Sequence, residues 1–162
     1  QEMRRDTRNK LVQRRDVPMN KDQLNDMVVD LFHGIAYEEE KAVITKEFRD
    51  ISNKELHIID AIGKKQSRNM SAIAKELNIT VGTLTIAVNH LLKKGYVRRK
   101  RGEKDRRVVY LSLSEKGKKA YRHHREFHHK MIEGLLEPLD EDEEKMLIHV
   151  MQYFHDYFKS KK

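Results

Sequence analysis

AIAKELNITVGTLTIAVNHLLKKGYVRRKRGEKDRRVVYLSLSEKG, residues 72–117, is the stretch that decides the fold. Ala74 is small where two helices must approach closely, and Asn78 occupies a turn position that asks for a left-handed backbone, which Asn tolerates better than most residues. Leu84 supplies the apolar contact from the second helix back to the first, so the spacing predicts a helix–turn–helix. Asn69 is the expected cap of a helix over Ser71–Leu77, and Thr80 that of a helix running to Lys94. Lys93 and Lys94 sit in its last turn, and Gly95 is its C-terminal stop. Two strands are expected next, Val97–Arg101 and Val108–Leu113, with Val109, Leu111 and Leu113 alternating to one face. The loop from Gly102 to Arg107 is almost wholly charged, which makes it a poor core element and a good groove probe.

Working outward, Leu24, Met27, Val28, Leu31 and Ile35 recur every three or four residues and predict a helix from Lys21 to about Thr45. Ser52-Asn-Lys-Glu55 reads as a capping box opening a helix with Leu56, Ile59 and Ile62, stopped by Gly63. Beyond the hairpin, Ser114 caps a long helix with Ala120, His124, Phe127, Met131 and Leu135 on one stripe. Pro138 and Asp140 punctuate before a last helix with Met146, Leu147, Val150, Met151, Phe154 and Phe158. Residues 1–18 are a basic polar arm that reads as an upstream extension or a cloning remnant, since Met19 is a plausible natural start. The expected organisation is this arm, a dimerisation helix over 19–48, a winged helix–turn–helix over 49–113 and C-terminal dimerisation helices over 114–162. The fold class is mainly α with a small β-hairpin wing.

The 162 residues suffice for one domain with a real core. With no cysteine, disulfides, thiolate metal sites and cysteine catalysis are excluded. No apolar run is long enough to cross a bilayer and none near residue 1 resembles a secretory signal, so a cytoplasmic protein is expected. Between Lys64 and Tyr110 stand 13 Lys/Arg against Glu76, Glu103 and Asp105, a net +10 within a chain of +8. The remainder therefore sums to −2, and positive charge confined to one third of a sequence is the footprint of a phosphate-binding face.

The expected DNA contacts are Ser71, Thr80, Val81, Gly82, Thr83, Thr85, Asn89 and Lys93 on the helix–turn–helix, with Arg98, Lys104, Asp105, Arg106 and Arg107 on the wing. Short polar residues near a helix N-terminus suit a major groove, and Asn89 could read an adenine edge. The flat cation of arginine suits a narrow minor groove. Asp105 has two readings: it aims the Arg107 guanidinium, or it caps the loop.

The quoted stretch resembles the core of the MarR family, including its Asp-x-Arg wing and Leu-x-Leu-(Ser/Thr)-x-x-Gly, here Asp105, Arg107, Leu111, Leu113, Ser114 and Gly117. The resemblance runs from about Met19 to the C-terminus. It implies a homodimer joined by the first and last helices, whose two winged domains read half-sites of a palindromic double-stranded DNA. KELHIIDAIGK, NITVGTLT and DRRVVYLSLS are most similar to the branch that represses fatty-acid synthesis genes in lactic-type Gram-positive cocci. That branch responds to long acyl chains on acyl carrier protein, which implies acyl-acyl carrier protein as corepressor. Leu31, Phe32, Ile35, Ile58, Ile59 and Phe127 are the candidates for lining an apolar slot, or else they are simply core.

Four of nine histidines fall in Arg122-His-His-Arg-Glu-Phe-His-His129. His124 and His128 lie one turn apart and could bind zinc, and some MarR relatives sense that metal. A site needs three or four ligands, however, and two arginines are neighbours, so the reading assigns no metal and no cofactor. Sensing of zinc or a small phenolic compound is the alternative to the acyl ligand. No Gly-rich phosphate loop, His-Glu-x-x-His or Gly-x-Ser-x-Gly is present, and no enzyme is expected. An RNA or architectural binder is the reading from another class; a discrete wing beside a single helix–turn–helix argues for duplex DNA.

Overall fold

The computed structural model describes residues 20–43, 45, 47–63, 67–103 and 105–161. The arm over 1–18 and Lys104 lie outside the described residues. The element order is α1 (Lys21–Val43), α2 (Asn53–Gly63), β1 (Arg68–Asn69), α3 (Met70–Glu76), α4 (Val81–Lys93), β2 (Val97–Arg101), β3 (Val109–Leu113), α5 (Glu115–Leu136) and α6 (Glu141–Ser160). Boundaries fall within a residue or two of the sequence expectation, with α3 starting at Met70 and β3 at Val109.

Local chemistry accounts for most of these boundaries. The amide of Ser52 donates to Glu55 Oε2 at 2.9 Å and the amide of Glu55 to Ser52 Oγ at 3.3 Å, which closes the capping box. Asn69 accepts from the Ala72 amide at 2.7 Å, and Thr80 from the Thr83 amide at 3.0 Å. Asn78 takes φ 54°, the left-handed turn that the helix–turn–helix requires, and Gly95 takes φ 78° past the end of α4.

The sheet has one strand more than the expected hairpin. Its order is β1-β3-β2, all antiparallel, with Arg68 opposite Leu111 and Val97 opposite Leu113. A two-residue strand is too short to show a period of two, so no sequence pattern marks β1.

Contacts divide the chain into two compact units, one of residues 26–128 and one joining the start of α1 to the residues from 129 on. The apolar core belongs to the first: Phe48, Leu56, Ile59, Ile62, Ile73, Leu84, Leu91, Tyr96, Leu111 and Ala120 are all buried. The second differs from the one-domain expectation for a physical reason, since α6 buries none of its residues within the single chain.

Candidate nucleic-acid interface

A groove runs between α4 and the wing, lined by Ser71, Val81, Thr85, Asn89, Arg99 and Arg107 together with Asn69 and Val109. The fold thus brings five of the expected contact residues together. Gly82, Thr83 and Lys93 are exposed on the same helix, and Arg106 is exposed beside Arg107. The threonines are partly committed to the helix itself. Thr80 Oγ caps the Thr83 amide and lies 2.9 Å from Thr83 Oγ, while the Thr85 hydroxyl donates to Val81 O at 2.7 Å. The Thr85 bond spends the hydroxyl proton on the helix backbone and leaves its oxygen as an acceptor.

On β2, Val97 is buried, and strand alternation puts Arg99 on its face and Arg98 on the other. Arg99 accordingly lines the groove, while Arg98 lies on the side of α5. The Glu115 carboxyl there is held below its ordinary range, first by its bond from Lys118 and then in part by the charge of Arg98. Sequence reasoning chose Arg98; the parity counted from Val97 is the signal that points to Arg99.

At the wing tip the Arg107 amide donates to Asp105 Oδ1 at 2.9 Å. Of the two readings of Asp105, this geometry is the loop cap: the carboxylate holds backbone, and the exposed Arg107 side chain projects from the turn it fixes.

The C-terminal end of α4 is anchored by a polar hub. Lys94 pairs with the buried Glu55 at 2.7 Å. The buried Tyr96 donates its phenol proton to Asp50 Oδ1 at 2.5 Å, and Lys116 Nζ reaches Asp50 Oδ2 at 2.9 Å. Ser114 Oγ lies 2.6 Å from Gly95 O and 3.0 Å from Tyr96 O, and accepts from the Gly117 amide at 3.0 Å. A Cβ on Gly117 would stand 2.0 Å from Tyr96 O, so only glycine lets α5 start this close to the end of α4. The Ser-x-x-Gly of the sequence motif is this joint.

The expected slot residues divide. Ile58 and Ile59 are buried core, Ile35 and Phe127 are half-buried, and Leu31 and Phe32 face solvent.

Away from the groove, His124 meets His128, the neighbour one turn on that the sequence offered, and Glu39, which the sequence did not reveal. Its Nε2 lies 2.7 Å from Oε1 of the buried Glu39 and 3.1 Å from His128 Nε2, which is itself 3.1 Å from the same oxygen. His57 Nε2 stands 3.6 Å from Glu39 Oε2, and Asn53 Nδ2 donates to that oxygen at 2.8 Å. Burial would raise the Glu39 carboxyl, but the bonds from His124 and Asn53 and the nearby imidazoles hold it below its ordinary value. Burial pushes the His124 imidazole below its ordinary value, although its bond to Glu39 pulls the other way. Glu39 lies 85 residues from His124 and belongs to no local motif.

A helix–turn–helix beside an arginine-bearing antiparallel wing defines a winged-helix, DNA-binding transcriptional regulator. The MarR family profile matches residues 51–109. Among solved structures, FabT of Streptococcus pneumoniae in complex with DNA is 35% identical, with a TM-score of 0.85 over 88% of this chain and 100% of that one. The HTH-type transcriptional regulator YwhA of Bacillus subtilis, itself uncharacterised, is 30% identical across 64% of this chain and 74% of its own length. BilQ of Clostridium symbiosum, another HTH-type regulator, is 31% identical across 60% of this chain and 67% of its own. This chain belongs to the MarR family and is a DNA-binding transcriptional regulator, not an enzyme. No helix among the described residues is long and apolar enough to cross a membrane.

Proposed function

We propose that the chain works as a homodimeric repressor of fatty-acid synthesis genes, reading a palindromic operator and taking long-chain acyl-acyl carrier protein as corepressor. The observation that carries this reading is the likeness to FabT bound to DNA, at 35% identity over the whole of that chain. The groove supports the operator half. The 13 residues of α4 make a rod about 20 Å long that a major groove admits, and Arg99 and Arg107 stand where the wing would meet the backbone. Two copies are supported by α6, which leaves Met146, Met151, Phe154 and Phe158 exposed on an amphipathic helix. The exposed Leu31 and Phe32, next to the half-buried Ile35, suit an apolar chain better than a small polar effector.

The test is footprinting on the promoters of the fatty-acid synthesis genes, with and without carrier protein loaded with a long acyl chain. The expected result is protection of an inverted repeat that tightens with the loaded carrier and not with the unloaded one. Protection indifferent to the carrier would remove the corepressor and leave the operator reading; no protected repeat would remove both.

A further inference from the structure

We propose that Ile86, on the outward crest of α4, is a specificity-determining residue that reads the 5-methyl group of one thymine in each half-site. The inference rests on the DNA-binding half of the proposed function, with α4 as the helix that enters the major groove. A step of two residues is a little over half a helical turn, and Ile86 stands two residues past the buried Leu84 and two before the buried Val88. It therefore faces away from the core, and it is 64% exposed. Depressions flank it on both sides: the wing groove with Val81, Thr85 and Asn89, and a second one lined by Ala74, Asn78, Thr80 and Thr83. The helix stands proud between them, leaving room for a DNA backbone on either side.

What the first half of α4 can offer a base depends on what its hydroxyls already do. Thr80 Oγ and Thr83 Oγ share one hydrogen bond, and the Thr85 hydroxyl donates to Val81 O. Two of the three hydroxyl protons are thus used within the helix. Val81 and Ile86 carry only carbon, and Gly82 carries no side chain. This end of the helix presents methyl groups more than donors. In the major groove the apolar group on a base edge is the thymine methyl. Against it Ile86 buries carbon on carbon, whereas against the amino group of cytosine or adenine it would cover a polar group without pairing it.

The neighbours of Ile86 suit that contact. A β-branched side chain has one strongly preferred χ1 rotamer in a helix, so Ile86 loses little freedom on meeting a base. One turn before it, a Cβ on Gly82 would meet only Thr80 Oγ, at 3.7 Å. Nothing among the described residues asks for glycine there, and alanine is the better helix former. The bare backbone keeps the space beside Ile86 open to the edge of a base pair. Asn89, three residues on and on the adjoining face, is left for hydrogen-bonded readout of a neighbouring base.

The test uses the full-length protein and a duplex selected from random sequence for tight binding, so that it depends on no promoter. Each thymine is replaced in turn by uracil, which removes the 5-methyl group and keeps every hydrogen-bonding atom. One position in each half-site is expected at which uracil weakens binding about fourfold, the effect of exposing one buried methyl. Ile86→Ala should bind the thymine and uracil duplexes equally at that position. Its melting temperature and helical content should match the parent, because the side chain it shortens is exposed. Asn89→Ala should keep the uracil penalty, which assigns the methyl effect to Ile86 and not to weakened binding in general. No uracil penalty in the parent protein, or a penalty that Ile86→Ala retains in full, overturns the proposal. Either result leaves the repressor reading standing, since that reading fails on the absence of a protected repeat.

Discussion

Gly117 and Tyr96 show how much of the molecule rests on single atoms. Gly117→Ala would set a methyl carbon 2.0 Å from Tyr96 O, and the start of α5 must then move off α4. The expected loss is about 1–3 kcal/mol, seen as a lower urea midpoint at unchanged slope. Tyr96→Phe removes a buried donor from Asp50 and should cost about 1 kcal/mol. The Asp50 carboxyl is held below its ordinary value of 3.8, first by the Tyr96 bond, while burial and then Asp50 push the Tyr96 phenol up. A depressed carboxylate contributes stability above pH 3.8 that is lost as pH falls through its folded value. The melting-temperature gap between Tyr96→Phe and the parent protein should therefore be full at pH 6 and narrow below pH 3.8. Asn78 and Gly95 were legible in the sequence because their demands are local, a φ angle within four or five residues. Asp50 and Glu39 were not, since their partners stand 46 and 85 residues away and nothing in a linear pattern pairs them.

At the scale of elements, the wing is the informative case. Its second strand was legible from alternation and its tip from charge, and strand parity from Val97 carried the placement of Arg99, whereas β1 emerges only when β3 is seen between two partners. Arg107 is exposed on a turn whose geometry Asp105 fixes, outside the apolar core. Arg107→Ala is therefore expected to weaken operator binding about tenfold or more, with helical content and assembly unchanged. If Arg107 meets a phosphate, the slope of log affinity against log salt should fall by about one unit. Unchanged affinity at physiological salt would mean that the wing does not touch DNA. Arg99→Ala should behave alike and Arg98→Ala should not, a contrast set by strand parity alone.

For the whole molecule, the sequence told most through where its charge lies: a net +10 between Lys64 and Tyr110, the segment that folds into α3, α4 and the wing. What it could not tell was how α6 is covered, because an amphipathic stripe marks an apolar face without saying what meets it. In the proposed homodimer, two copies related by a two-fold axis would present their recognition helices about 34–36 Å apart, one turn of duplex. Inserting about half a turn between the half-sites should abolish tight binding in a gel-shift titration, and a second half-turn should restore part of it. Affinity indifferent to the first insertion would leave each winged domain binding by itself.

The joint of Ser114 and Gly117 also makes α5 a lever. Its short arm ends on the last carbonyls behind the recognition helix, and the helix continues from that fulcrum as one rod through His124 and His128. Gly117 and His124 are seven residues apart, about 10 Å along the axis. A displacement of α5 at His124 would therefore have no loop to absorb it before the end of α4.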